Sequence, residues 1–173
     1  MKDGQIENYI NEYGPILFRF CYSLTKDRYL GEELYQDTFL LLLSKKDEID
    51  PDGNVKGYLC TVAARLWKDR KRKYARRFRI APTYSDELSE IPEEKTTEGE
   101  VEKNILKNDI QMAIEELDEI YREVILLQYM GGLSIEEIGE KCNIPIGTVK
   151  SRIHYGKKQL KERLEGLGYG PRK

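Results

Sequence analysis

Gly132-Leu133-Ser134-Ile135-Glu136-Glu137-Ile138-Gly139-Glu140-Lys141-Cys142-Asn143-Ile144-Pro145-Ile146-Gly147-Thr148-Val149-Lys150-Ser151-Arg152 reads as a short helix, a tight turn and a second helix. Ser134 and Glu137 have the S-x-x-E spacing of a capping box, in which each side chain satisfies a backbone N–H at the helix start. Asn143, Ile144 and Pro145 form the turn, because the residue before a proline is driven out of helical geometry. Gly147 or Thr148 opens the second helix, which runs to about Leu164. Ile135, Ile138, Ile144, Val149 and Ile153 are spaced to close a small core between the two helices. Lys150, Ser151, Arg152, His154 and Tyr155 then fall towards the exposed side of the second helix. This is the outline of a helix-turn-helix whose second helix enters a DNA major groove.

The side chains suit that use. Lysine and arginine bond guanine edges or phosphates, and serine adapts to either kind of edge. Thr148, beside the N–H groups at the helix start, suits a phosphate. Lys157, Lys158 and Lys161 continue the positive face along a DNA backbone. Taken alone, the same residues are also compatible with a helical hairpin that has a solvated basic face.

Upstream, Gly131-Gly132 ends a helix that carries Tyr121, Val124, Ile125, Leu127 and Gln128, with Asp118 as its candidate N-cap. Ile105, Ile110, Ala113, Ile114 and Leu117 mark another helix before it. The C-terminal domain is therefore expected over residues 104–167. Residues 80–103 differ in kind. Pro82 and Pro92 interrupt them, and Asp86, Glu87, Glu90, Glu93, Glu94, Glu98, Glu100 and Glu102 make them acidic and poor in apolar side chains. Such a stretch buries too little surface to offset its ordering entropy, so a flexible linker is expected.

An N-terminal domain is expected over residues 6–79. Tyr9, Ile10, Tyr13, Ile16, Leu17, Phe20, Cys21 and Leu24 recur at helical spacing, with Pro15 expected to break or kink the helix. A second helix is expected over residues 30–44, followed by the turn cluster Asp50-Pro51-Asp52-Gly53-Asn54. A third places Val55, Tyr58, Leu59, Val62, Ala63, Leu66 and Trp67 on one face and runs into the basic stretch Arg65 to Arg79. In that stretch Trp67, Tyr74 and Phe78 interleave with the cations. Mixed cations and aromatics fit melted DNA, where phosphates meet charge and exposed bases stack on rings. A core role for Trp67 beneath a solvated basic face is the simpler alternative. No segment alternates as a strand does, so the chain reads as all-α.

Composition narrows the function. The 29 Lys and Arg nearly balance 31 Asp and Glu, so any argument for nucleic acid rests on local charge. Cys21, Cys60 and Cys142 are far apart, no C-x-x-C pair occurs, and His154 is the lone histidine, which argues against a disulfide framework, a zinc site or any other metal. The first residues lack the apolar core of a secretion signal, and the longest apolar run, Phe39 to Leu43, is too short to span a bilayer. A cytoplasmic protein without membrane insertion is expected. Glu32-Glu33-Leu34-Tyr35-Gln36-Asp37-Thr38-Phe39 clusters carboxylates, but no histidine, nucleophile or glycine-rich loop accompanies them. A solvated helix face, or a docking surface for a basic partner, fits better than a nuclease centre; no catalytic residue and no cofactor is expected.

Together these pieces resemble the sigma factors of bacterial RNA polymerase, in the sigma-70 superfamily and its extracytoplasmic-function (ECF) group. Leu117-Asp118 through Leu160 is similar to the family's region 4, including Tyr121-Arg122-Glu123-Val124 and Gly147-Thr148-Val149-Lys150-Ser151-Arg152. Glu32 to Phe39 is similar to region 2.2, and Leu59 to Ala63 with Leu66 to Asp69 to regions 2.3 and 2.4. The resemblance implies a region 2 helical bundle and a region 4 helix-turn-helix. It implies that Glu32, Glu33, Leu34, Gln36, Asp37 and Phe39 dock on the clamp helices of the polymerase β′ subunit. It implies that the −10 element is opened and read by the loop at about residues 50–56, with Asp52, Asn54 and Lys56, and by the basic helix, with Arg65, Lys68, Asp69, Arg72 and Lys73. It places Thr148, Lys150, Ser151, Arg152, His154, Tyr155 and Lys157 on the −35 element, with region 4 against the β flap. The linker would thread the cleft towards the RNA exit, and an anti-sigma factor is an implied regulator. Base flipping costs a few kcal/mol, which a pocket for the extruded base offsets while reading sequence. Two positions depart from the family pattern: Arg65 stands where Asn is frequent, and Tyr155-Gly156-Lys157 where Arg-Ala-Arg is frequent. Gly156 costs roughly 1 kcal/mol inside a helix, and close approach to a partner or DNA would explain it. A stand-alone helix-turn-helix repressor or activator is the competing reading.

Overall fold

A computed structural model describes residues 3–78 and 98–170. Seven α-helices, and no strand, occur among them. By spatial contact they form two compact units, one made of residues up to 78 with 126–134, the other of 98–125 with 135–170.

In the first unit, α1 (Asp3–Thr25), α2 (Arg28–Ser44) and α3 (Val55–Phe78) pack on one another. Their interface is filled by Leu17, Phe20, Leu24, Leu34, Leu42, Leu59 and Ala63, all nearly inaccessible to solvent. Pro15 does not break α1, which is continuous across it. Pro15 is solvent-exposed, so the Asn11 carbonyl that loses its helical partner can be hydrated instead. The turn into α2 uses Lys26 in left-handed conformation, φ 57°. Asp27 caps α2, its carboxylate accepting from the Leu30 N–H at 2.9 Å. Thr38 is fully buried and donates its hydroxyl proton to the Leu34 carbonyl at 2.7 Å, so it needs no partner outside its own helix. A 3-10 turn, Lys46–Glu48, leads into the Asp50–Asn54 loop, where the Asp50 carboxylate accepts from the Asp52 N–H at 3.0 Å.

The second unit holds α4 (Glu98–Glu115), the first part of α5 (Glu119–Tyr129), α6 (Ile135–Cys142) and α7 (Ile146–Gly166). The expected linker lies outside the described residues up to position 97, but its last six residues are helical and open α4. Glu100 and Glu102 suit that place, since carboxylates complement the positive end of a helix. The turn between α4 and α5 is tied by Arg122. Its guanidinium is buried and donates to the Leu117 carbonyl at 2.9 Å and the Glu115 carbonyl at 3.3 Å, capping the end of α4. α5 ends at Gly131-Gly132 as the sequence suggests, with Gly132 at φ 65°. Between α6 and α7 Asn143 takes φ 55° and the Ile144 N–H donates to the Gly139 carbonyl at 3.0 Å. Ile138, Val149 and Ile153 are buried there; Ile135 and Ile144 are half-buried at its margin. α7 starts at Ile146, ahead of the expected Gly147 or Thr148, because Pro145 in extended geometry, φ −60° and ψ 145°, already serves as its N-cap.

Candidate nucleic-acid interface

Three surfaces collect the candidate residues. On α7, Val149, Ile153 and Gly156 face the core, which turns Lys150, Ser151, His154, Tyr155, Lys157, Lys158 and Lys161 outward. Thr148 and Arg152 lie half-buried at the edges of this face. The Thr148 N–H already donates to the Pro145 carbonyl at 3.0 Å, so its hydroxyl is the group left for a phosphate. Ser151 donates to the Thr148 carbonyl at 3.1 Å and keeps its oxygen lone pairs for an incoming donor. Tyr155 is packed edge-on to His154, ring centres 5.5 Å apart, and lies 6.4 Å from the ring of Tyr121 on α5. These contacts give Tyr155 a defined orientation at the surface.

Gly156 has an internal explanation. A Cβ there would stand 2.9 Å from Cγ1 of Ile125 and 3.5 Å from Cβ of Tyr121. The residue permits close packing of α7 on α5, and the expected role in approach to DNA or a partner gives way to that.

On α3, Arg65, Lys68, Asp69, Arg72, Lys73 and Arg76 are exposed. Turning roughly 100° per residue, they fall within one stripe less than half the helix circumference wide. Arg76, which extends the candidate set, is recoverable from that periodicity. Trp67 is neither fully core nor fully exposed; the Lys71 ammonium lies 5.9 Å from its ring centre, a cation–π contact. Of the loop residues, Asp52 is exposed and Lys56 half-buried. Asn54 has structural duties: its side-chain oxygen accepts from the Gly57 N–H at 2.9 Å, capping α3, and its amide donates to the Gly131 carbonyl at 3.2 Å.

On α2, Glu32, Glu33, Gln36 and Asp37 reach the surface, but Leu34 and Phe39 do not. Leu34 is 0% exposed and Phe39 6%, so both belong to the core and neither can form part of a docking surface. Helical rotation is the reason: Leu34 and Phe39 stand at the two edges of the buried side of α2, which also holds Gly31, Thr38 and Leu42, while Tyr29, Leu40 and Leu43 turn outward beside Glu33 and Gln36. Leu40 is 62% and Tyr29 68% exposed, which makes this face amphipathic. The carboxylates are engaged within the chain. Arg28 pairs with Glu32 at 3.5 Å, and Arg70 of α3 pairs with both Glu33 and Asp37.

Burial pushes the Cys60 thiol up to about 12 and raises Cys21 further, holding both as neutral thiols rather than nucleophiles or metal ligands. Among the described residues no three His, Cys, Asp or Glu side chains are grouped to hold a metal ion, and no helix is long and apolar enough to cross a membrane.

Residues 9–77 match the family model for sigma-70 region 2, and residues 107–160 that for sigma-70 region 4. The ECF RNA polymerase sigma factor SigW of Bacillus subtilis is 32% identical over 169 residues, spanning 91% of this chain and 88% of the relative. SigL of Mycobacterium tuberculosis is 32% identical over 159 residues, with the same coverage of 91% and 88%. The sigma factor RpoE of Bartonella quintana, solved in complex with the anti-sigma factor NepR, superposes with a TM-score of 0.75 at 25% identity, over 93% of this chain and 97% of that one. CnrH, solved with the cytosolic domain of CnrY, shares the fold at a TM-score of 0.59 and 18% identity, over 95% of this chain and 90% of that one.

Proposed function

The chain belongs to the ECF group of the sigma-70 family, and from that membership we propose how its surfaces divide the work of initiation. The protein binds core RNA polymerase and promoter DNA and directs promoter-specific transcription initiation. Its region 4, in residues 104–167, reads the −35 duplex with the outward face of α7. Lys150, Ser151, Arg152, His154 and Tyr155 meet base edges, while Thr148 and Lys157 meet phosphates. Its region 2, in residues 6–79, docks on the polymerase through α2 with Glu32, Glu33, Gln36 and Asp37, joined by Tyr29 and Leu40. The −10 element is opened by region 2, with Asp52, Asn54 and Lys56 around the extruded base and Arg65, Lys68, Asp69, Arg72 and Lys73 along the melted strand. Residues 80–103 join the two regions.

One observation carries this reading: α7 turns a coherent row of cationic and polar side chains outward from a helix-turn-helix core, and α3 bears a second basic stripe. Two DNA-facing surfaces suit a protein that holds duplex at one and melted strand at the other. The chain supplies specificity and leaves the chemistry of RNA synthesis to the polymerase, acting in the cytoplasm. Because the RpoE relative was solved with an anti-sigma factor, a protein of that kind is the proposed regulator.

Transcription with core polymerase on genomic DNA, with start sites mapped, tests the reading. Discrete starts that depend on the protein are expected. If core enzyme with this chain starts nowhere, while the chain alone protects a duplex operator, the protein is a stand-alone regulator.

A further inference from the structure

Arg70 lies in the middle of the basic run of α3, yet its charge is directed at α2. Its Nη1 donates to Glu33 Oε2 at 3.4 Å and its Nη2 to Asp37 Oδ2. The Arg70 side chain is only 19% exposed, whereas those of Glu33 and Asp37 are 41% and 46% exposed. The exposed stripe of Arg65, Lys68, Arg72 and Lys73 occupies another side of the same helix. We infer that Arg70 is a positioning residue for polymerase docking: it holds the Glu33 and Asp37 carboxylates in the arrangement a basic partner meets. The inference rests on the reading of α2 as the docking face.

Two physical arguments support it. Glu33 and Asp37 stand four residues apart on one helix face, a spacing at which like charges repel and long side chains wander. A guanidinium has separate donors in a rigid fork, so one arginine can hold two carboxylates where an ammonium acts as a point charge. Each carboxylate has about four acceptor positions, and Arg70 takes one from each. With both side chains more than two-fifths exposed, a partner's donors can join at the remaining positions without displacing Arg70. The ordering cost is met before the partner arrives, which favours association. The pairing also ties the docking helix to the helix that bears the DNA-facing stripe.

The full chain carrying Arg70→Gln, Arg70→Lys, Asp37→Asn, or Arg70→Gln with Asp37→Asn is titrated into core polymerase, and run-off transcription is read at each concentration. Arg70→Gln is expected to raise the half-saturating concentration about fivefold while the plateau is kept, a size typical of a coupled charged pair. Arg70→Lys recovers part of the loss, and the double variant is no worse than the weaker single one. If Arg70→Gln fails to fold, Arg70→Met, which keeps the apolar stem, supplies the same comparison. A half-saturation equal to wild type, while Glu33→Gln with Asp37→Asn raises it, overturns the inference and leaves the docking face standing. If that carboxylate double variant also matches wild type, the docking face itself is misassigned and the inference goes with it. A lowered plateau at unchanged half-saturation places Arg70 in strand opening and equally overturns it.

Discussion

Gly156 of α7 packs so closely on Ile125 of α5 that a methyl group at position 156 would stand 2.9 Å from Ile125 Cγ1. Ile125 is 2% exposed and has little room to move. Alanine normally gains about 1 kcal/mol over glycine inside a helix, and overpacking a core costs about 1–3 kcal/mol. The second effect wins here, because the clash is with a buried side chain. Gly156→Ala is expected to lower the unfolding free energy by about 1 kcal/mol, read by urea denaturation. An equal or higher denaturation midpoint would show that α5 and α7 can separate at little cost.

The buried thiols make stability depend on alkaline pH. Cys60 has its pKa raised by burial from an ordinary 9.0 to about 12. The unfolded chain therefore loses this proton first, and stability due to the neutral buried thiol is complete below pH 9. It falls as pH rises from there towards 12, at a slope approaching about 1.4 kcal/mol per pH unit. Cys21, raised in the same direction chiefly by burial, adds to the loss. Unfolding measured at pH 8 and pH 10 should show the decline, and Cys60→Ala should be less stable throughout but flatter with pH. A Cys60→Ala protein that keeps the full wild-type slope would assign the effect to other groups.

Helical periodicity explains what could be read in advance. The seven helices follow from apolar spacing and from the glycine, proline and capping residues between them, so the two-part all-α architecture was legible in the chain. Pro15 does not end α1, because its cost depends on whether the Asn11 carbonyl meets water, and exposure is a tertiary property. Leu34 and Phe39 sit within a contiguous motif, but a helix turns about 100° per residue, so no continuous block of eight residues can face one partner. Gly156 and Arg70 were beyond local reading for a shared reason. Each is explained by a neighbour on another helix, Ile125 in one case and Glu33 with Asp37 in the other.

The same separation of faces on α2 distinguishes folding from docking. Leu40 is 62% exposed, while Leu34 is sealed in the core. Leu40→Asp is expected to keep the thermal midpoint and raise the core-polymerase concentration needed for half-maximal transcription about tenfold, the loss of one well-packed apolar contact. Leu34→Ala should instead cost about 2–5 kcal/mol of stability, with binding lost only as the fold is lost. Polymerase affinity unchanged in Leu40→Asp would remove this helix face from the docking surface.

On α7 the half-buried Arg152 and the exposed Lys158 should fail in different ways. Arg152 starts from a side chain already restricted by its neighbours, so it can meet one group at the groove with defined geometry. Arg152→Ala is expected to weaken −35 recognition by about 1–3 kcal/mol and to relax sequence preference at one position. Lys158 lies further along the helix, where the proposed docking of α7 in the groove brings it to backbone phosphates. Lys158→Ala should weaken all promoters alike and reduce the steepness of salt dependence by about one counterion. Promoter binding by holoenzyme, measured across salt concentrations on a set of single-base −35 variants, separates the two. Identical behaviour of the two variants would mean that α7 lies along the phosphate backbone and reads no base through Arg152.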